Sequence, residues 1–308
     1  MILMPSLLRP SLRRLLVAAV LAAAGAVGCT QLDSWQRSAI FSPQTEQQRW
    51  WREPRDGTEV YDLVLANGDK VHAWYWQASR ADAPTVLYLH GARWNLNGGA
   101  FRIDAWARMG YSVLAIDYRG FGQSTPLLPS EDTAFEDASA ALAELARRQP
   151  DPARRFVYGH SLGGAIAIDL AARPDMPAFA GLIVESSFTS IAAMLGTLKW
   201  GKLPGASLLV TQRFASIDKL ATLTTPMLFL HGTADSVVPH TMSDELYAAA
   251  LKAPADLKRL VKIEGASHSN AIRSGTVYDE AVRSFIRDAS GAYAAPAVGT
   301  AGAQASAE

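Results

Sequence analysis

The chain has 308 residues, of which 49% are hydrophobic and 19% are charged, and its formal net charge is zero. This length can bury one substantial core, in one or two domains. A neutral chain without a basic run lacks the electrostatic footprint of a nucleic-acid-binding protein, so we expect no nucleic-acid partner.

The first 28 residues have the composition of a signal peptide. MILMPSLLRPSLRR contains three arginines and no acidic residue, and the apolar run LLVAAVLAAAGAV follows it. A basic region, a short apolar run and a small-residue cleavage site are typical of secretory signals. The run has 13 residues, fewer than the about 20 that cross a bilayer. We therefore expect residues 1–28 to direct export and to be removed.

Cys29, the only cysteine in the chain, follows this segment. The sequence Ala26-Val27-Gly28-Cys29 resembles the lipobox of bacterial lipoproteins, although alanine stands where leucine is usual. The resemblance implies that Cys29 is lipidated and anchors the protein to a membrane, facing the periplasm. Thr30 in place of an aspartate favours the outer membrane over the inner one. The alternative is an ordinary cleaved signal with an incidental cysteine.

Residues 29–57 are polar with scattered aromatic side chains and show no clear period. They are either a tether or a lead-in that packs on the following domain. Trp50 and Trp51 lie in this segment. A membrane interface would suit them, but tryptophan is usually buried, so we expect them to pack on the fold.

Strand and helix patterns alternate over residues 58–288. EVYDLVLANGDKVHAWYW predicts a β-hairpin around Asn67-Gly68. EDTAFEDASAALAELARR predicts an amphipathic helix that ends before Pro150. Further strands are predicted for six apolar runs: PTVLYLHG, YSVLAIDYRG, RFVYG, AGLIVES, PMLFLHG and RLVKIEG. This alternation predicts an α/β domain with a mostly parallel sheet, and the alanine- and glycine-rich residues 289–308 are predicted to be disordered.

Ser161 has the setting of a catalytic nucleophile. It lies in Gly159-His160-Ser161-Leu162-Gly163, between an apolar strand and a helix of small residues. This is the G-x-S-x-G nucleophile elbow, in which the two glycines let strand and helix pass closely. Leu162 opens the helix, so its free N–H can face a developing oxyanion.

The base that would activate Ser161 is not expected to be its neighbour His160. Successive side chains of an extended segment point to opposite sides, so we expect His160 to pack or to support the site. His268 lies on a loop after the last predicted strand and can reach Ser161 across the edge of a parallel sheet. His90 and His231, each before a glycine at a strand end, are expected to hold loops.

The acid that would orient His268 is expected to be Asp235, which follows a predicted strand. Ser161, Asp235 and His268 then stand in the order Ser…Asp…His. Asp117 is the second candidate, but it precedes the serine and is expected to brace a loop. No H-E-x-x-H motif or cysteine pair is present, so we expect neither a metal nor another cofactor.

The motifs LHGARWN, DYRGFGQS, GHSLGG, ESSFTS, LHGTADSVVP and EGASHSN stand in the order found in the α/β-hydrolase superfamily. The chain most resembles a small, largely capless branch with membrane-associated esterases, thioesterases and lipid hydrolases. The resemblance implies helices on both faces of the sheet and a minimal cap. It also implies that Ala92 supplies the second oxyanion N–H. Arg93 and Trp94 are bulkier than usual in that loop, so we expect them to shape the substrate entrance.

The segment MLGTLKWGKLPGASLL provides a short excursion between two strands. Leu198 and Trp200 are candidates for an apolar surface that receives an acyl chain, and ordinary helix packing is the alternative.

These features predict a serine hydrolase that cleaves a carboxylic ester or thioester, or an acyl lipid, through an acyl-enzyme. A peptidase or an acyltransferase could use the same triad. The non-enzymatic alternative is a lipoprotein that keeps the fold as a binding module, since fold alone does not define function.

Overall fold

A computed structural model describes residues 27–44, 46–198, 201 and 203–294. The predictions for residues 1–26, for Trp200 and for residues 295–308 lie outside this range.

One sheet of eight strands forms the centre of the molecule, in the order β1-β2-β4-β3-β5-β6-β7-β8. The pairs β1–β2 and β2–β4 are antiparallel and all other pairs are parallel. The mostly parallel sheet with an antiparallel hairpin is therefore confirmed. The strands are β1 Glu59–Val64, β2 Lys70–Trp76, β3 Thr85–Leu89, β4 Ser112–Ile116, β5 Arg155–His160, β6 Gly181–Glu185, β7 Met227–Gly232 and β8 Lys258–Ile263.

Helices cover both faces of this sheet. In chain order they are α1 at residues 27–41, α2 Leu96–Arg108, α3 Glu131–Arg148, α4 Leu162–Ala172, α5 Ile191–Gly196, α6 Ser216–Leu220, α7 Thr241–Ala249 and α8 Thr276–Ala294. Side chains alternate across each strand, so Leu87 joins the core under α3 and α4 while Val86 joins the core under α2 and α8. Strands β3 to β7 are buried throughout, which explains their unbroken apolar runs.

The described part of residues 29–57 packs on the domain. Phe41, at the end of α1, is completely buried, and its ring centroid lies 5.9 Å from that of Phe214. The Gln36 side chain donates a hydrogen bond to the Leu209 carbonyl at 2.7 Å and accepts one from the Thr211 N–H at 2.9 Å. This segment is therefore a lead-in that packs on the fold.

The C-terminal boundary predicted at residue 288 is wrong, since α8 continues to Ala294. The apolar face of this helix, which includes Val282, Phe285 and Ile286, extends to Ala289, and Ala289 is completely buried. The helix continues because burying this face stabilises it.

The excursion after β6 consists of α5, a 3-10 helix at Ala206–Leu209 and connecting turns. It is a small cap, and its large apolar side chains Leu198, Leu203, Leu208 and Leu209 are exposed. Among the helices of the described residues, none is long and apolar enough to span a membrane.

Candidate active site

Ser161 stands at a strained turn between β5 and α4. Its backbone has φ 56° and ψ −119°, a conformation that costs a non-glycine residue free energy. The two flanking glycines make the turn possible. A Cβ on Gly159 would lie 2.2 Å from the Gly163 carbonyl oxygen, and one on Gly163 would lie 2.0 Å from the Leu89 carbonyl oxygen. The elbow expected from the sequence is thus required by the packing.

Hydrogen bonds fix the backbone of Ser161. Its N–H donates to the Glu185 carbonyl at 2.8 Å, and its own carbonyl accepts from the Ser187 hydroxyl at 2.8 Å and from the Gly164 N–H at 2.9 Å. The nucleophile is therefore held by the ends of β5 and β6 and by the first turn of α4.

His268 and Asp235 form a close pair. Nδ1 of His268 lies 2.8 Å from Oδ2 of Asp235, whose side chain is completely buried. Oδ1 of Asp235 accepts hydrogen bonds from the N–H groups of Val237 and Val238 at 2.8 and 2.9 Å. The carboxylate thus orients the imidazole so that Nε2 is left free for proton transfer.

His231 is a second partner of Asp235. Its Nε2 lies 3.1 Å from Oδ2 of Asp235 and 3.2 Å from the Val238 carbonyl oxygen, and its side chain is completely buried. Burial alone would raise the pKa of Asp235, but the hydrogen bonds from His231 and His268 hold it well below its usual range. As expected, His231 holds a loop, and that loop carries the acid.

His160 contacts the loop of His268. Its Nε2 lies 2.9 Å from the His268 carbonyl oxygen, and the two ring centroids are 4.9 Å apart. Burial, together with the charge of Arg102, lowers the pKa of His160 well below its usual value. The neutral ring therefore donates its Nε2 proton to this carbonyl and supports the loop.

A buried ion pair lies beneath His160. Arg102 donates to Oε1 of Glu185 at 2.7 Å and to the Tyr158 hydroxyl at 2.6 Å, and its other nitrogen lies 3.2 Å from the Ser269 carbonyl oxygen. The sequence did not reveal this pair, because Arg102 lies in α2 and Glu185 lies in β6, far apart along the chain. The available signal was a lone arginine on the apolar side of α2. Arg102 and His160 together hold consecutive carbonyls of the His268 loop.

Asp117 has a separate structural role. Its Oδ1 accepts a hydrogen bond from the Leu96 N–H at 2.8 Å, at the start of α2, and lies 3.5 Å from Nε2 of His90. Burial raises the pKa of Asp117 to about 7 and lowers that of His90 to about 4. Asp117 therefore braces the loop after β3, as expected for the second candidate acid.

Two N–H groups at the cavity of Ser161 have no partner among the described residues. Ala92 and Leu162 line the same cavity as Ser161, and no described residue accepts a hydrogen bond from either N–H. The loop of Ala92 is clamped by the lead-in. The Arg93 N–H donates to the Phe41 carbonyl at 2.9 Å, and the Gln44 N–H donates to the Arg93 carbonyl at 2.8 Å.

A cavity of about 560 Å³ is lined by Ser161 and His268 together with Leu162 and Ala92. Arg93 and Trp94 line it, as expected for entrance residues. Leu198 is not among the residues that line it, so its role at the entrance stays a prediction. Leu198 lies one turn beyond the cavity residue Met194, with 58% of its surface exposed. Several lining residues were missed because they belong to the aperiodic lead-in: Ala39, Ile40, Gln44 and Trp50. Within the described ranges, no group of three or more His, Cys, Asp or Glu side chains could hold a metal.

Comparison with known proteins places the chain in a family. The model of the family described as serine aminopeptidase, S33, matches residues 81–216. An uncharacterized protein of Mycobacterium tuberculosis is 35% identical over 233 residues, which cover 74% of this chain and 79% of the relative. The lysophosphatidylserine lipase ABHD12 of Danio rerio is 31% identical over 198 residues, or 58% of this chain and 50% of the lipase.

The fold itself matches known structures. The esterase Pf2001 of Pyrococcus furiosus superimposes with a TM-score of 0.63 at 19% identity, covering 80% of this chain and 98% of the esterase. At this identity the likeness concerns the fold alone. The chain is a member of the α/β-hydrolase superfamily and a serine hydrolase.

Proposed function

We propose that Ser161, His268 and Asp235 are a catalytic triad that hydrolyses carboxylic esters or thioesters with an apolar acyl chain. The observation that carries the proposal is that His268, whose Nδ1 lies 2.8 Å from Asp235, lines one cavity with Ser161 and with Leu162 and Ala92, whose N–H groups have no partner among the described residues. In the described residues the Ser161 hydroxyl makes no hydrogen bond to His268, a contact that often tightens only when substrate binds.

The chemistry would run in two steps. Oγ of Ser161 attacks the carbonyl carbon while Nε2 of His268 takes the hydroxyl proton, and Asp235 stabilises the imidazolium. The N–H groups of Leu162 and Ala92 stabilise the oxyanion, where one such donor contributes about 3 kcal/mol. His268 then returns the proton to the departing alcohol or thiol. Water, deprotonated by His268, then attacks the acyl carbon, the bond to Oγ of Ser161 breaks, and His268 returns the proton to this oxygen as the carboxylic acid leaves.

The apolar wall of the cavity supports an acyl substrate. It is formed by side chains from α1, the loop after β6, α5 and the loop after Asp235: Ile40, Phe188, Ile191, Met194, Val237 and Val238. No described residue that lines the cavity is Asp or Glu. An aminopeptidase needs a carboxylate to bind a free amino terminus, so the lining favours an esterase or thioesterase.

We further propose that Cys29 is lipidated and anchors the enzyme to the periplasmic face of the outer membrane. Cys29 is exposed near the start of the described part of α1. On the same helix Trp35 has 67% of its surface exposed, one turn before the cavity residue Ala39. In cells supplied with labelled lipid, the label should be incorporated into the parent protein and not into the Cys29→Ser variant. A soluble parent without attached lipid would contradict the anchor.

Labelling with a fluorophosphonate tests the triad. The chain from Thr30 onward should label, while Ser161→Ala and His268→Ala should not. His240→Ala is the matched control, because His240 lies outside the cavity, and it should label like the parent. A well-folded parent that stays unlabelled would instead support a binding module. Butyrate esters and thioesters, compared with aminoacyl anilides, then distinguish an esterase from a peptidase.

A further inference from the structure

A second cavity of about 300 Å³ adjoins the active-site cavity. Trp50, Trp94 and Ser269 line both of them, so the two spaces meet beside the His268 loop. The remaining walls of the second cavity include Phe101 and two arginines, Arg52 and Arg273. It is thus a small aromatic chamber with positive charge at its edge.

The charge of Arg273 is not neutralised in this chamber. Its guanidinium carbon lies 4.3 Å from the centroid of the Phe101 ring, and it forms no salt bridge with any described carboxylate. Arg52, in contrast, lies 3.6 Å from Asp104 and forms a salt bridge with it. Stacking covers one face of the Arg273 guanidinium and leaves its N–H edge available to a planar anion.

The position of the chamber relates it to the leaving group. The apolar wall proposed to hold the acyl chain is built by α1, the loop after β6, α5 and the loop after Asp235. The chamber is built by residues 50–52, by α2 and the loop before it, and by the segment after His268. An ester bound at Ser161 has its acyl and alcohol parts on opposite sides of the carbonyl carbon. If the acyl part packs against the apolar wall, the alcohol part extends into the chamber.

We propose that this chamber is the leaving-group subsite and selects alcohols that carry an anionic group, a carboxylate or a phosphate, on an apolar body. The inference rests on the proposed esterase function. No acidic side chain lines either cavity among the described residues, and Asp104, which lies next to Arg52, is paired with it. The aromatic rings bind the apolar body, and Arg273 binds the charge.

A pair of isosteric esters tests the charge preference. The butyrate esters of 4-hydroxybenzoate and 4-hydroxybenzamide differ in one negative charge, and their rates are normalised to alkaline hydrolysis. The parent should prefer the benzoate, and Arg273→Gln should lower kcat/KM for it about fivefold at low salt, as expected for the loss of one charge-assisted hydrogen bond. The benzamide ester should be unaffected. Arg287→Gln, an exposed arginine paired with Asp288, is the control and should change neither.

Equal rates for both esters in the parent, or equal losses for both in Arg273→Gln, would overturn the proposal. Direct binding separates this failure from failure of the esterase proposal. In Ser161→Ala, benzoate or phenyl phosphate should quench tryptophan fluorescence through Trp50 and Trp94, and Arg273→Gln should weaken this quenching about fivefold. The stronger of the two ligands identifies the anion. Quenching without turnover would retain the subsite and reject the esterase, and no Arg273-dependent quenching would reject the subsite.

Discussion

Nε2 of His160 lies 2.9 Å from the carbonyl oxygen of His268, so the histidine next to the nucleophile holds the loop of the distant histidine. In this G-H-S-x-G elbow the histidine therefore acts on the loop of His268, and it needs no direct contact with Ser161. Burial lowers the pKa of His160, so the ring is neutral and carries one proton. The hydrogen bond to the His268 carbonyl holds this proton on Nε2. His160 is therefore a positioning residue.

Replacing His160 tests this role. His160→Ala should lower kcat by about tenfold or more, because a small displacement of His268 slows proton transfer while leaving substrate contacts in place. KM should change little. His160→Gln places an amide N–H near the same carbonyl and should recover most of the loss. If His160→Ala abolishes fluorophosphonate labelling as fully as His268→Ala does, then His160 takes part directly in proton transfer.

Replacing each candidate acid, Asp235 or Asp117, by asparagine tests which of them orients His268. Asp235→Asn should lower kcat by about 10³-fold or more, because an amide cannot stabilise the imidazolium and disturbs the tautomer. Asp117→Asn should stay within about threefold of the parent, since its amide oxygen can still accept the Leu96 N–H. Initial rates on p-nitrophenyl butyrate at pH 8 provide the measurement. A larger loss in Asp117→Asn than in Asp235→Asn would reverse the assignment.

Asp117 should also affect stability as the pH changes. Burial raises its pKa from 3.8 to about 7 in the folded state. The unfolded chain releases this proton at lower pH than the folded chain, so ionisation favours unfolding between these two values. The free energy of unfolding of the parent should therefore fall relative to Asp117→Asn as the pH rises from about 4 to about 7. Thermal melts across this range should show a growing advantage for the variant, and a constant difference in Tm would contradict a buried, protonated Asp117.

The sequence predicted the sheet and the elbow well because both follow from local patterns. Buried parallel strands need continuous apolar runs, and β3 to β7 have them. The helix α3 was clear from its amphipathic pattern and from Pro150 after its end. Helix α2 was not identified, because Gly98 and Gly99 in its first turn weaken the helical signal. Packing is tight at both positions, since a Cβ on Gly98 would lie 3.0 Å from Nε1 of Trp51 and one on Gly99 would lie 3.1 Å from the Tyr88 hydroxyl.

The contribution of the lead-in to the site could not be predicted, because it depends on contacts distant in sequence. Phe41 is buried against Phe214, and its carbonyl holds the Arg93 N–H of the oxyanion loop. The pair Arg102–Glu185 escaped for the same reason, since its charges stand 83 positions apart. The place of Leu198 could not be derived either, because an apolar residue in a short cap can face solvent as readily as a cavity.

Gly163 should tolerate no side chain, because the elbow requires α4 to lie against β3. A Cβ at this position would lie 2.0 Å from the Leu89 carbonyl oxygen and 2.6 Å from the His90 carbonyl oxygen, both of them backbone atoms that cannot rotate away. Gly163→Ala should therefore lower the free energy of unfolding by roughly 2–3 kcal/mol. Gly291→Ala is the matched control, since no atom lies within 4 Å of its Cβ and alanine favours the helix. Urea denaturation of both variants measures the difference, and an equally stable Gly163→Ala would contradict the close approach of strand and helix at the nucleophile.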